Sequence, residues 1–286
     1  VVAYINCYTR GMNLTTDDHN ADIVIEQITS KIKNLVYGGK RWLWEKTIGI
    51  AKANNLDLVI TNSPITKNNY GQYGFKTDTW MVLPLELKKV DKSFIEKLPF
   101  SKQNNELHLL YVGRLIYDKG VDLVIKALCS KALDDVRFHI VGDGPQKKTL
   151  QNLVARFGLK KKVFFYPWIE AKHLAAFYAT TDVFVHPCRL PEPFGRTIVE
   201  ALSFGKPVIT SARSGSAWVA GEAGVTFAPG SISELRQAIL HFINKDNLSV
   251  YAKIARARAL EFDFDLIAPK FETALLELAE KNHSNG

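Results

Sequence analysis

Short apolar segments alternate regularly with helical segments in the second half of this chain, and that alternation constrains the fold more than any other feature. Strands are predicted at residues 107–112, 136–141, 163–166, 182–186 and 207–210. Each is a short apolar run, and the first four are each followed by a stretch of helical periodicity. Strands and helices that alternate in this way build a parallel sheet covered on both faces. The sequence therefore predicts an α/β fold whose second part is a doubly wound parallel sheet.

The first hundred residues predict a less complete α/β unit. The elements predicted there are strands at 1–5, 57–61 and 80–83 and helices at 21–37 and 41–55. A polar and charged stretch at 88–105 is interpreted as an interdomain linker. Helices after the linker are predicted at 120–129, 146–157, 171–179, 195–204, 232–243, 249–260 and 267–280. The predicted domains are residues 1–99 and 100–260, followed by a terminal helical segment at 261–286.

Composition narrows the possible partners. The chain has 286 residues with 37 Lys and Arg against 29 Asp and Glu, which gives a formal charge of +8. This excess favours an anionic ligand or a membrane surface, and a solvated basic face is the alternative. Interleaved aromatic and basic residues are absent from the sequence, so no nucleic-acid partner is expected.

Cysteine spacing and hydropathy bear on the cellular compartment. Cys7, Cys129 and Cys188 are widely spaced, which predicts neither a disulfide framework nor a metal site and favours a reducing compartment. No apolar run reaches the ~20 residues that span a bilayer, and no signal peptide is recognised. A cytoplasmic protein is expected, with the inner membrane surface as an alternative location. The chain begins with Val1, so it is expected to be either a fragment or a naturally short protein.

Two glutamates follow the strand at 182–186. Glu192 lies in a Pro- and Gly-rich loop, and Glu200 lies on the helix that this loop opens. Because open α/β sheets bind ligands outside the carboxyl ends of their strands, both carboxylates are expected to line one pocket. Charged acceptors form short hydrogen bonds, which suits sugar hydroxyls. The alternative is a surface pair between Glu200 and Arg196, which would contribute roughly 0.2–0.5 kcal/mol.

A second motif follows the strand at 107–112. Gly113 allows a ligand to approach the backbone, Arg114 offers a planar fork, and Lys119 offers a point charge where a helix begins at Gly120. A helix amino end adds N–H donors and positive potential. Together these groups suit a diphosphate. The alternative is a tight turn that carries two solvated cations.

The remaining polar groups carry weaker signals. Gly142-Asp143-Gly144-Pro145 lacks the third glycine of a dinucleotide fingerprint and is interpreted as a turn. His186, just before Pro187, would contact a sugar or simply end its strand with its hydrogen bonds satisfied. Cys188 has no base partner in the sequence and is not proposed as a nucleophile. The seven histidines show no metal-ligand spacing, so no metal site is predicted.

In order and spacing, these motifs resemble those of the retaining GT-B glycosyltransferases, and more narrowly family four. The residues that carry the resemblance are Gly113-Arg114, Lys119-Gly120, Gly142-Asp143-Gly144-Pro145, Glu192-Pro193-Phe194-Gly195, Glu200-Ala201-Leu202 and Gly205-Lys206-Pro207-Val208-Ile209. The resemblance covers about residues 107–240. It implies two Rossmann-like domains with a nucleotide-sugar in the cleft, the first domain being incomplete here. It also implies that the terminal helix packs back on the first domain.

The resemblance implies a role for each site residue. The donor-binding residues would be Gly113, Arg114, Lys119, Glu192, Phe194, Gly195 and Glu200. Arg114 and Lys119 would hold the donor diphosphate, Glu192 would bind hydroxyls of the transferred sugar, and Glu200 would bind the ribose. Arg114, Lys119 and Glu192 would be the catalytic residues. The resemblance further implies a UDP- or GDP-linked sugar as co-substrate, no other cofactor and no metal, which agrees with the lack of an Asp-x-Asp motif.

Three departures from the family pattern bear on function. The acceptor-side glycine loop of the first domain is missing, and Asn6 occupies the position of a histidine. The usual Gly-Gly-Pro-x-Glu stretch is replaced by Ser214-Gly215-Ser216-Ala217-Trp218. The resemblance nevertheless implies a hexosyltransferase with a sugar or lipid-linked acceptor. The alternatives are a nucleotide-sugar-binding half-enzyme that needs a partner chain, a homo-oligomer or an upstream segment, and a Rossmann oxidoreductase, which the missing Gly-x-Gly-x-x-Gly disfavours.

Overall fold

The structure, a computed structural model, describes residues 2–5, 58–72, 80–82, 84, 100, 105–212 and 214–284. The chain divides into two units, one formed by Val1–Leu85 with Asp265–Gly286 and the other by Glu86–Phe264. The domain boundaries predicted at residues 99 and 260 remain predictions. Asn6 and the helices predicted at 21–37 and 41–55 lie outside the described residues.

In the first unit, β1 (Val2–Ile5), β2 (Leu58–Thr61) and β3 (Trp80–Val82) form a parallel sheet in that order. Helix α1 (Pro64–Gln72) follows β2 and was not predicted, because its sequence has no apolar stripe. Its start does carry a signal: the hydroxyl of Ser63 accepts a hydrogen bond from the Thr66 amide at 3.3 Å, and proline suits the first helical position.

The second unit contains a six-stranded sheet in which every neighbouring pair is parallel, as the alternating pattern predicts. Its strands are β4 (Leu107–Val112), β5 (Val136–Val141), β6 (Val163–Tyr166), β7 (Val183–His186), β8 (Val208–Ser211) and β9 (Gly224–Phe227). Their order is β6-β5-β4-β7-β8-β9. The order therefore reverses between β4 and β7, and such a switch point is where doubly wound sheets bind their ligands.

Helices connect these strands close to the predicted positions. They are α2 (Val121–Ala127), α3 (Lys147–Arg156), α4 (Ala171–Thr180), α5 (Arg196–Ser203), α6 (Gly215–Ala220), α7 (Ile232–His241), α8 (Lys245–Leu260) and α9 (Phe264–Ser284). Helix α8 begins four residues before its predicted start, because the side chain of Asn244 caps it by accepting a hydrogen bond from the Asp246 amide at 2.8 Å. Helix α6 was not predicted.

The main core lies between the sheet and helices α2, α3 and α7. Leu109 and Phe138 of the central strands are fully buried against Val124 and Ile239. Burial of each such side chain stabilises the fold by about 1.5–3 kcal/mol. The central strands are thereby held rigidly, and so are the loops that leave their carboxyl ends.

A polar chain crosses the sheet near Phe100, whose ring stacks on His139 with 4.0 Å between centroids. The hydroxyl of Tyr166 lies 3.0 Å from Nδ1 of His139, whose Nε2 lies 2.9 Å from Nδ1 of His108. Nε2 of His108 lies 3.2 Å from a carboxylate oxygen of Glu106. If each group donates to the next, from Tyr166 through His139 and His108 to Glu106, every position is satisfied with both imidazoles neutral.

We expect this series of hydrogen-bonded side chains to make the protein less stable in acid. Burial, together with the neighbouring His108, lowers the pKa of His139 to about 3. Because the unfolded state binds the proton more readily, stability is retained above the unfolded pKa of ~6.5 and falls as the pH drops below it. We expect His139→Gln to lower stability overall but to reduce the loss between pH ~7.5 and pH ~5.5 by about 1 kcal/mol, measured by urea unfolding. Equal losses in the wild type and the variant would contradict this assignment.

Candidate functional site

Two loops meet at the switch point. We call them the β4 loop (residues 113–120) and the β7 loop (residues 187–195). Gly120 has φ +67°, and a Cβ at this position would lie 2.0 Å from the carbonyl oxygen of Pro187. The amide of Arg189 donates to the carbonyl of Asp118 at 2.8 Å. The two backbones are thus in direct contact, which only a residue without a side chain at position 120 permits.

An ion pair between Lys119 and Glu192 joins the two loops. Burial opposes the charge of Lys119, but the carboxylate of Glu192 outweighs this effect and raises the Lys119 pKa. Burial likewise opposes the charge of Glu192, but the charge of Lys119 and its hydrogen bond lower the Glu192 pKa below the usual value. Both groups are therefore charged at neutral pH. Their side chains are 22% and 24% exposed, so a ligand can reach them.

His186 and Cys188 lie beneath this pair. The Cys188 sulfur is 3.6 Å from Nδ1 of His186 and 3.8 Å from Oε2 of Glu192. Burial lowers the pKa of His186 to about 4 and raises the pKa of Cys188 to about 12. At neutral pH the first is therefore an uncharged imidazole and the second a protonated thiol. Since the thiolate is the reactive form, this cysteine is a poor nucleophile.

These three residues also have donor atoms of the kind that bind zinc. Their ligand atoms all lie within 4.8 Å of one another. Two features oppose a metal here: Lys119 already occupies the carboxylate of Glu192, and a metal would have to displace the thiol proton. The prediction of no metal site remains a prediction.

Arg189 fastens the β7 loop to helix α2. Its guanidinium donates two hydrogen bonds of 2.7 Å to the Asp122 carboxylate, a bidentate geometry that lysine cannot provide. The same group lies 4.2 Å from the ring centre of Tyr117 and donates to the Tyr117 carbonyl at 2.9 Å. The sequence did not predict this contact between Arg189 and Asp122, because residues 67 positions apart give no local signal.

Arg114 adds a second cation at the end of β4. Its side chain is exposed. Its carbonyl accepts a 2.9 Å hydrogen bond from the buried Tyr111 hydroxyl, and the amide of Gly113 donates to Val141 at 3.0 Å. The backbone that carries the guanidinium is therefore held on both sides. The charge of Arg114 also reaches Lys119, where it acts to lower the pKa.

Phe194 and Gly195 form the end of the β7 loop. Phe194 is buried against Phe262 and Trp218, with ring centres 5.7 and 6.3 Å away. Gly195 caps helix α5 with φ +89°, a conformation that favours glycine. The buried phenylalanine anchors the loop, and the glycine lets the chain turn directly from Glu192 into the helix.

Glu200 lies on α5, as predicted, but it is not part of the Lys119–Glu192 cluster. Its Oε2 accepts a 2.8 Å hydrogen bond from Tyr178, a partner that sequence reasoning did not find. Burial raises the pKa of Glu200, although the hydroxyl of Tyr178 and the charge of Arg196 act in the opposite direction. Arg196 is exposed and influences Glu200 only electrostatically, so the alternative, a surface pair between the two, is not formed.

The Ser214–Trp218 departure forms a buried hydroxyl network. Oγ of Ser214 lies 2.6 Å from Oγ of Ser216, which accepts from Thr210 at 3.0 Å. Ser211, next to Thr210 on β8, donates to the Cys188 carbonyl at 2.5 Å. The side chain of Ser214 also caps helix α6. These hydroxyls therefore tie β8 and α6 to the β7 loop.

Comparison with known proteins identifies the family. The model of the family "Glycosyl transferases group 1" matches residues 94–258, more than half of the chain. The chain belongs to this family. Among curated relatives, it is 33% identical over 132 residues to an uncharacterized glycosyltransferase of Methanocaldococcus jannaschii, covering 44% of this chain and 33% of the relative. It is 30% identical over 177 residues to glycogen synthase of Mycobacterium tuberculosis, covering 60% of this chain and 42% of the relative.

Similarity to solved structures places this chain among the GT-B folds. HepE of Anabaena, in complex with UDP and glucose, is 25% identical with a TM-score of 0.69, covering 81% of this chain and 66% of HepE. Sucrose-phosphate synthase of Thermosynechococcus elongatus gives a TM-score of 0.72 at 24% identity, covering 88% of this chain and 66% of that chain. The predicted α/β fold of GT-B type is thereby confirmed.

These matches cover only part of each relative. The chain spans less than half the length of these two curated relatives. The region that matches the family, 94–258, contains both loops and Glu200 but not residues 1–93. Within the part of the chain that the structure describes, no helix is long and apolar enough to cross a membrane.

Proposed function

We propose that this glycosyltransferase moves a hexose from a UDP- or GDP-linked sugar to an acceptor hydroxyl, with retention at the anomeric carbon. The observation that carries the proposal is the meeting of Lys119, Arg114 and Glu192 at the switch point between β4 and β7. A doubly wound sheet binds ligands at that point. Two cations beside a carboxylate suit a ligand with a diphosphate at one end and a sugar at the other.

The cations would bind and activate the leaving group. Arg114 is exposed and can form bidentate hydrogen bonds with phosphate oxygens, while Lys119 supplies a compact charge. Negative charge grows on the diphosphate as the bond to the sugar breaks. Fixed positive groups stabilise that charge more in the transition state than in the bound donor, and this difference accelerates the reaction.

Glu192 would orient the transferred sugar. Lys119 keeps its carboxylate ionised, so it is a strong acceptor for sugar hydroxyls. The backbone of Phe194 and Gly195 would lie beside the same sugar, and the neutral His186 would complete the wall beneath it. Because Cys188 is a protonated thiol, we propose that no protein nucleophile takes part and that retention depends on electrostatic stabilisation.

Glu200 would select the nucleotide. One of its oxygens is bonded to Tyr178, and the other remains as an acceptor for a ribose hydroxyl. No other cofactor and no metal enter this proposal. The acceptor would be a sugar or a lipid-linked sugar, and the charge of +8 would favour contact with an anionic membrane surface.

A half-enzyme is the alternative that a specific observation favours. The chain matches less than half of each of two curated relatives, so a partner chain or a further segment would supply the acceptor site. In that case the chain binds the donor but transfers the sugar slowly or not at all.

Thermal unfolding in the presence of nucleotide-sugars tests the proposal, with NAD as the control for a Rossmann oxidoreductase. At a ligand concentration 100 times the dissociation constant, UDP- or GDP-sugars should stabilise the protein by about 2.7 kcal/mol. Stabilisation by NAD alone would contradict the proposal. Product formation by the purified chain, with sugar and lipid acceptors, then separates the two forms: multiple turnovers exclude the half-enzyme, and donor binding without transfer supports it.

A further inference from the structure

Tyr178 lies directly behind Glu200, and nothing in the proposed reaction uses it. It belongs to α4, whereas Glu200 belongs to α5, and their 2.8 Å hydrogen bond joins the two helices. Only 1% of Tyr178 is exposed, whereas Glu200 is half-buried. The tyrosine is therefore inaccessible to a ligand, while the carboxylate that it holds is not.

Aromatic packing fixes the orientation of the Tyr178 ring and therefore of its hydroxyl group. The ring of Tyr178 stacks on Phe204 with 5.6 Å between centroids and an interplanar angle of 18°, and it contacts Phe184 at 5.9 Å. A ring held on two sides cannot swing its hydroxyl elsewhere, so Oε2 of Glu200 has a stationary donor. The other oxygen, Oε1, is then held in one orientation.

We propose that Tyr178 is a positioning residue that fixes the Glu200 carboxylate against the ribose and thereby makes the site select ribonucleotides over 2′-deoxyribonucleotides. The inference rests on the proposed function, because it takes Glu200 as the ribose ligand. A carboxylate held on one side loses little conformational freedom when it accepts a hydroxyl, and such preorganisation increases affinity. A purely structural Tyr178 would satisfy a buried carboxylate and join two helices without affecting nucleotide selection.

The test compares UDP with 2′-deoxy-UDP by titration calorimetry; GDP and 2′-deoxy-GDP replace them if GDP binds more tightly. Base and phosphates are the same within each pair, so the affinity ratio reports the 2′-hydroxyl contact alone. We expect a ratio of about tenfold or more in the wild type, since the acceptor is charged. Glu200→Gln should reduce it strongly, because an uncharged amide replaces the charged acceptor, and Tyr178→Phe should reduce it by about threefold or more. Combining the two substitutions should cause no further loss.

Tyr166→Phe is the matched control, because it also removes a tyrosine hydroxyl hydrogen bond, here the one to His139, on an element that does not hold Glu200. Its ratio should equal that of the wild type. If Tyr178→Phe fails to fold, Phe204→Leu provides the second variant: it keeps the hydroxyl, removes the stacked ring, and should lower the ratio less than Glu200→Gln does.

Each outcome is decisive. A wild-type ratio in the Tyr178 and Phe204 variants, with loss in Glu200→Gln, overturns the positioning role and leaves the proposed function standing. A ratio of one in the wild type overturns the inference while leaving diphosphate binding intact. Failure of the wild type to bind either diphosphate removes the proposed function and the inference together.

Discussion

Replacing Lys119 by methionine is expected to slow donor turnover by about 10²–10³-fold, the usual cost of removing one group that stabilises transition-state charge. Methionine preserves most of the apolar stem and removes only the ammonium group that pairs with Glu192. Affinity for UDP should also fall, by about tenfold or more, because a charge-assisted hydrogen bond is lost. Affinity for uridine, which has no phosphate, should hardly change.

Lys162→Met is the matched control for this variant. Lys162 pairs with Asp134 at 2.5 Å and directly precedes β6. It therefore lies at the amino ends of the strands, whereas the switch point lies at their carboxyl ends. It changes the net charge by the same amount but should affect neither UDP affinity nor turnover. Release of nucleoside diphosphate from the donor, with calorimetry for affinity, measures both. Equal losses for UDP and uridine in Lys119→Met would show that this lysine does not bind the diphosphate.

Gly120→Ala should be among the most destabilising single substitutions in the second unit. The left-handed conformation costs a residue with a Cβ about 1–2 kcal/mol, and forcing that atom against the Pro187 carbonyl adds about 1–3 kcal/mol. The free energy of unfolding should therefore fall by about 2–5 kcal/mol. UDP affinity should fall as well, because the methyl group separates the two loops that carry Lys119 and Glu192.

Gly158→Ala separates the two contributions. Gly158 has φ +69°, nearly the same as Gly120, but a Cβ there would meet nothing within 4 Å. We expect this control to lose only about 1–2 kcal/mol and to retain its UDP affinity. Urea unfolding measures both free energies. If the two variants lose the same stability, the approach of the β4 and β7 loops is not tight, and the argument for a site built on their contact fails.

Local sequence patterns predicted the strands well but missed two helices, α1 and α6. Strand β6 has the predicted bounds of 163–166, because a continuous apolar run between turn residues has few other buried conformations. Helix α1 was missed because it has no apolar stripe, and α6 because its six residues are too few to show helical periodicity. The helix predicted at 146–157 is α3, which begins one residue later, at Lys147. Helix ends depend on capping groups, whose effect is small and local.

Residue types and spacing, taken alone, placed Arg114, Lys119 and Glu192 at the carboxyl ends of two strands. A parallel sheet puts all such ends on one edge, so the sequence determined that cations and carboxylates share that edge. Which of these side chains meet depends on how the strands pack in three dimensions. Strand order is set by nonlocal packing, and it makes β4 the neighbour of β7 although 70 residues of sequence separate Val112 from Val183. The same reason explains Glu200: a surface pair with Arg196 is local, but the buried Tyr178 hydroxyl, presented by another helix, takes the carboxylate.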